Sequence, residues 1–157
     1  MSLPALVIPP PGAPLPSAAL QFGMPQDDPQ SLVLAVELAR LAAQWRRHWP
    51  GLRLSLPATG TWPLESWPEA LHGALDALLQ AALERQPDAA LELLLSSARG
   101  LLRVDLRGHD PLARAWLPDA LRPAQRLAAW QGGRLLWRAH GKGWKIRLGL
   151  PLSPARR

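Results

Sequence analysis

Between Ala120 and Leu152 the chain reads ALRPAQRLAAWQGGRLLWRAHGKGWKIRLGLPL, and no other stretch limits the possible architectures as strongly. A helical pattern runs into Gly132-Gly133. After it, Leu135 and Trp137 alternate with Arg134 and Arg138. Beyond the glycine-broken turn His140-Gly141-Lys142-Gly143, Ile146 and Leu148 alternate with Lys145 and Arg147. Successive strand side chains point to opposite faces, so two strands written this way share one apolar face and one cationic face. Strands of this kind bury the first face under helices and leave the second in water.

The same pattern recurs upstream. Leu102, Val104 and Leu106 oppose Arg103, Asp105 and Arg107, and this strand joins an earlier one at residues 89–96 through Ser97-Ala98-Arg99-Gly100, a tight hairpin signal. Leu52, Leu54 and Leu56 alternate with Arg53 and Ser55 as a short strand, followed by a loop at residues 57–63. Leu34, Leu38, Leu41 and Trp45 recur at helical steps, which predicts a helix over residues 31–48, capped by Ser31 and stopped by Pro50-Gly51. Ser66-Trp67-Pro68-Glu69 has the spacing of a capping box and predicts a second helix running to about Gln86, where Pro87 ends it. Residues 108–119 read as irregular. The proline-crowded residues 1–30 read as a tail or linker, residues 31–152 as one domain, and residues 153–157 as a basic tail. The fold expected is α/β: a two-layer sandwich with a mixed, mainly antiparallel sheet and helices on one face.

A chain of 157 residues can bury one core without staples. The absence of cysteine excludes disulfides, thiolate metal sites and cysteine nucleophiles together. His48, His72, His109 and His140 lack metal-ligand spacing, so no metal site is expected. No serine stands in a nucleophile elbow, and Glu65 and Glu69 flank a helix start whose dipole they complement. No apolar run is long enough to span a bilayer, and no basic stretch precedes the first apolar residues; this predicts a cytoplasmic location without membrane contact. The formal charge is +6, and of 18 basic residues only Lys142 and Lys145 are lysine. Alternation gathers Arg103, Arg107, Arg134, Arg138, Lys145 and Arg147 on the open face of the sheet, either as a solvated surface or as a docking surface for an acidic protein. An arginine-faced nucleic-acid binder is a further reading of the same charge.

The order helix, Gly-Gly, strand, glycine turn, strand resembles the closing segment of the ATP-binding domain of bacterial sensor histidine kinases, in the GHKL ATPase superfamily. The resemblance covers residues 31–152 and is closest to the nitrate-sensor-like class. It implies a Bergerat-type sandwich. The family's Q-E-A-L-x-N-A-x-x-H-A motif corresponds to the run from Gln80 to Ala90, which places its acid on Ala81 and its magnesium-binding asparagine on Arg85. Neither alanine nor a guanidinium offers the hard oxygen that magnesium requires. The family's D-D-G-x-G aspartate, which meets the adenine amino group, falls on Gly108, with Asp110 within reach of the role after a loop shift. Its Gly-Leu is Ala120-Leu121, and its G-x-G-T is Gly141-Lys142-Gly143-Trp144, with tryptophan in place of threonine. The lid at residues 111–118 is short and apolar, with Leu112, Trp116 and Leu117, and reads as a plug.

His72 lacks the acidic successor of a phosphoaccepting histidine, and the helical hairpin that carries that residue in the family is expected to be absent, the proline-rich segment standing in its place. The resemblance therefore implies a degenerate domain with no catalytic residue, no metal and no cofactor. Arg85, Asp110, Gly141 and Gly143 would be remnants of the nucleotide site. Its role would be protein interaction or regulation in two-component signalling, with a response regulator or sensor kinase as partner and a second copy of the chain as a further candidate. The alternative is a sensor-kinase domain that still binds ATP with magnesium and serves as a histidine protein kinase.

Overall fold

The computed structural model describes residues 28–153, so most of the two expected tails, residues 1–27 and 154–157, lie outside the described residues. Five strands form the main sheet: β2 (Arg53–Ser55), β4 (Ala90–Ala98), β5 (Leu101–His109), β6 (Arg134–His140) and β7 (Gly143–Pro151). Their order is β2-β4-β5-β7-β6. β2 runs parallel to β4, and the other neighbours are antiparallel, so the sheet is mixed and mainly antiparallel as the alternation predicts. A second, two-stranded sheet pairs β1 (Gln30–Val33) with β3 (Pro63–Ser66).

The helices are α1 (Leu34–His48), α2 (Pro68–Arg85), α3 (Ala113–Ala120) and α4 (Arg122–Trp130). Every buried position of α2 is alanine or leucine. These meet Leu93 of β4, Leu102, Val104 and Leu106 of β5, and Ile146, Leu148 and Leu150 of β7 in one core. Burying a leucine of this kind contributes about 1.5–3 kcal/mol relative to leaving it in water. Three polar ties fix the layer: Trp45 Nε1 donates to Asp76 Oδ1 at 2.9 Å, His72 Nε2 meets Glu37 Oε1 at 2.6 Å, and Gln131 Nε2 donates to the Ala70 carbonyl at 3.0 Å.

Three local expectations are corrected. The first helix starts at Leu34, not Ser31, because residues 30–33 are paired in β1. The exposed N–H groups of its first turn are met by backbone instead of a serine hydroxyl: Leu34 N–H donates to the Trp62 carbonyl at 2.9 Å and Ala35 N–H to that of Thr61 at 3.1 Å. The capping box also fails, since the α2 cap is Trp67 with no side-chain cap bond, while Ser66 turns inward and its hydroxyl meets Gln131 Oε1 at 3.3 Å. Finally, the stretch expected to be irregular contains α3, with Pro118 inside it. That proline brings no N–H to the preceding turn, and the helix ends two residues later. No helix among the described residues is long and apolar enough to cross a membrane.

Candidate functional site

Two places bring the singled-out residues together, one on each side of the main sheet. On the helix side, Gly108, the last but one residue of β5, lies opposite Trp144 in the ladder with β7. The Trp144 indole lies across that glycine. A Cβ built on residue 108 would fall 2.2 Å from Trp144 Cζ2 and 2.6 Å from Cε2. Gly108 is therefore a packing requirement, and its backbone is not in the left-handed region. Trp144 is 4% exposed and meets Trp116 of α3 edge-on, with ring centroids 6.0 Å apart. Its Nε1 is the buried side-chain polar atom left without a hydrogen-bond partner among the described residues.

Asp110, just beyond the strand, is also buried, and its carboxylate is fully engaged. Oδ1 accepts from the Leu112 N–H at 2.9 Å, an Asx turn that starts the path into α3. Oδ2 accepts from Trp116 Nε1 at 2.7 Å and lies 3.8 Å from Arg85 Nε. The structure thus places Arg85, at the end of α2, against Asp110. Ala81 lies one turn earlier and is buried. Leu117 and Ala113 of α3 are fully buried and Leu112 is exposed, so α3 packs one side into the core. Gly141 takes φ +60 in the two-residue turn between β6 and β7, a conformation that glycine permits at no steric cost. A Cβ at Gly143 would meet nothing closer than 3.8 Å. Gly143 stands across the sheet from His109 and does not join the Arg85–Asp110 pair.

The open face gathers the six predicted cations. One transverse row runs Ser55, Glu92, Arg107, Lys145, Arg138 through the ladder registers, the next runs Leu94, Asp105, Arg147, Leu136, and a third runs Ser96, Arg103, Gly149, Arg134. Asp105 organises the centre. Its carboxylate accepts from Arg147 Nε at 2.8 Å and Nη2 at 2.9 Å, and lies 3.3 Å from Lys145 Nζ. Burial alone would raise the Asp105 carboxyl. Hydrogen bonds from Arg147 and Lys145, together with their charges, outweigh that effect and hold it below the usual carboxylate range. The same pairing raises Arg147. Arg107 lies 3.7 Å from Glu92, whereas Arg53, Arg103, Arg134 and Arg138 make no ion pair among the described residues.

A groove of about 850 Å³ crosses this face at one end of the strands, lined by Arg53, Glu92, Arg107, His109, Arg138, His140, Gly143 and Lys145, with Gly108 and Trp144 also on its lining. Sequence reasoning assigned three of these cations to the open face but missed the groove. The available signal was the small pair Ala90 and Gly143, which lower the floor between charged neighbours. His72 is bonded to Glu37 and lines neither place. No cluster of three His, Asp or Glu among the described residues could hold a metal ion.

This arrangement, a mixed five-stranded sheet with its helices on one side, is the fold of histidine-kinase ATP-binding domains. Among solved structures, the catalytic domain of histidine kinase ThkA aligns with a TM-score of 0.66 at 14% identity, over 82% of this chain and 100% of that one. The ATP binding domain of PrrB from Mycobacterium tuberculosis aligns at 0.64 and 21% identity, over 83% and 100%. The histidine kinase domain of the E. coli osmosensor EnvZ aligns at 0.62 and 15% identity, over 86% and 95%. No protein-family profile and no curated protein sequence matches the chain.

Proposed function

We propose that this chain is a histidine-kinase-type ATPase domain whose own side chains fill its nucleotide pocket, and that it acts in the cytoplasm by binding a signalling protein instead of transferring phosphate. The observation that carries this reading is the Trp144 indole lying over Gly108. On the resemblance, residue 108 corresponds to the adenine-contacting aspartate and residue 144 to the threonine of the last glycine motif. An aspartate at 108 and the tryptophan at 144 cannot occupy the structure together, because the first carbon of the aspartate would lie inside the indole. Asp110, the substitute candidate, has both oxygens committed to Leu112 and Trp116.

The metal side agrees with this. No buried position of α2 carries an oxygen-bearing side chain, and Arg85 places a permanent positive charge 3.8 Å from Asp110. Phosphoryl transfer depends on metal ions that position the phosphates and neutralise developing charge, so a site without oxygen ligands lacks the means. What the domain retains is a five-stranded sheet with a cationic open face, suited to docking a response regulator or sensor kinase in a two-component pathway.

The test is thermal unfolding with and without millimolar ATP and magnesium. A nucleotide present at one hundred times its dissociation constant would add about 2.7 kcal/mol of stability, several degrees in melting temperature for a domain of this size. No shift is expected. A rise of several degrees that requires magnesium would instead mean a working ATP-binding domain.

A further inference from the structure

We infer that the groove across the open face is a binding site for an extended acidic segment of a partner protein, held with its carboxylates on Arg107, Lys145 and Arg138. The inference rests on the interaction-module reading above and assigns that surface a defined site and a chemical class of partner. The sheet geometry explains the shape. Ladder registers place His109, Gly143 and His140 side by side at the strand ends, with Arg53 paired to Ala90 at the same end of β4, and place Glu92, Arg107, Lys145 and Arg138 two residues further in, on the same face. The small Ala90 and Gly143 leave the strand-end row low beside the long side chains of Arg107, Lys145 and Arg138. Five strands at about 4.8 Å spacing make a trough roughly 19 Å long, enough for five or six residues of extended chain.

Charge selects the occupant. The open face carries seven cations, Arg53, Arg103, Arg107, Arg134, Arg138, Lys145 and Arg147, against the carboxylates of Glu92 and Asp105. Asp105 fixes Lys145 in place beside the groove, while Arg53 and Arg138 point no charge at any acid among the described residues. A row of cations on neighbouring strands, part of it already held in position, matches a row of carboxylates. Leu136, 55% exposed, stands between Arg134 and Arg138 on the same face and offers an apolar contact beside the charges. Among the described residues no tryptophan ring stands on the groove's open side: the Trp137 and Trp144 side chains belong to the opposite face of their strands. Single-stranded nucleic acid is held largely by stacking on such rings, so the chemistry favours a peptide.

The experiment uses the full chain and three labelled probes in low salt: the peptide Glu-Ser-Glu-Leu-Glu-Ser-Glu, an oligothymidine, and phosphatidylserine vesicles. Binding is read by fluorescence anisotropy or co-sedimentation, and its location by amide NMR shifts. The decisive variant is Gly143→Val, which changes no charge; its Cβ has ordinary room, and its branches project into the trough. Ala90→Met is the second variant should that one fold poorly.

The expected result is peptide binding with a Kd below about 1 mM, shifts at Gly108, His109 and Lys145, and roughly tenfold weaker binding in Gly143→Val. Arg107→Glu with Arg138→Glu should weaken it at least as much. Equal binding to the native chain and Gly143→Val would overturn the groove and leave only a diffuse cationic face. Groove-dependent binding of the oligothymidine or the vesicles in place of the peptide would overturn the choice of partner, and binding of none of the three would overturn the site. A magnesium-dependent melting shift with ATP would remove the degenerate-pocket reading while leaving the peptide result intact, so the two failures are separable.

Discussion

Placing a methyl group on residue 108 tests whether the indole of Trp144 occupies the pocket. Gly108 is not in the left-handed region, so Gly108→Ala introduces no backbone strain and should slightly favour folding through the unfolded chain. The whole cost must then come from contact. The new Cβ would lie 2.2 Å from Trp144 Cζ2 and 3.0 Å from Leu91 Cδ2, whereas carbon atoms rest about 3.5–4.0 Å apart. The ring must therefore move by more than about 1 Å, with Trp116 against it and almost no solvent-exposed surface to move into. Overpacking of this kind costs about 1–3 kcal/mol. Trp144→Ala should cost about 3–5 kcal/mol through the cavity it leaves. In the Trp144→Ala background the methyl group has room, so the double variant should be more stable than the sum of the singles by about 1–3 kcal/mol. Urea unfolding followed by far-UV circular dichroism measures all four proteins without relying on the deleted fluorophore. Additivity within about 0.5 kcal/mol would refute the argument, since it would mean that the two residues do not share one volume.

Three further outcomes follow from the same structure. Asp105→Asn leaves Lys145 and Arg147 facing each other without their anion; both keep some water, so the loss should be about 2 kcal/mol, below the 3–5 kcal/mol of a fully buried pair. The folded-state pKa of Asp105 is depressed, so its contribution is complete above the unfolded carboxyl value, near 4, and fades as pH falls through the lower folded value; the variant should flatten the acid limb of a stability-versus-pH curve. Asp110→Ala removes the acceptor of the Leu112 N–H and the Trp116 indole, which should cost about 2 kcal/mol and red-shift tryptophan emission as Trp116 loosens. Arg99 and Gly100 both have positive φ, at +54 and +77, in the turn between β4 and β5, so Arg99→Asn should raise the melting temperature by relieving a side chain from a conformation asparagine tolerates better.

The parts of the fold legible in the sequence are those where one neighbour decides the pattern. β5, β6 and β7 each have one apolar and one charged face, and the hairpin residues Arg99-Gly100 and Gly141-Lys142 carry the turn chemistry locally. β1 was hidden because its last residues run directly into an apolar helix, and only the distant carbonyls of Thr61 and Trp62 reveal that the first N–H groups are already satisfied. Ser66 misled for a related reason. Its spacing to Glu69 is that of a cap, but a buried glutamine 65 residues away takes its hydroxyl. α3 was obscured by Pro111 and Pro118, whose local preference is overridden by burial of Ala113 and Leu117. At the site, Ala81, Arg85 and Trp144 are legible as single residues. The contact between Gly108 and Trp144 is not, because they are 36 residues apart and meet only through the β5–β7 register.

That register also links the two faces of the sheet. Gly108 and Trp144 fill the helix side at the point where Arg107, Lys145, His109 and Gly143, their immediate chain neighbours, form the groove on the other side. A strand cannot slip by one residue without exchanging these two sets, so the register that packs the indole over glycine is the one that puts cations around the trough. Glycine at 108 and 143 suits each face for a different reason, one to admit a ring and the other to leave space. On the reading proposed here, filling the old pocket would also help hold the binding surface: Trp144 pins the β5–β7 pair at the very row where an acidic segment would lie. Weakening the indole contact should then loosen the groove as well as the core, and slow hydrogen exchange at the amides of Gly108 and Lys145 is the property that should be lost first in Trp144→Ala.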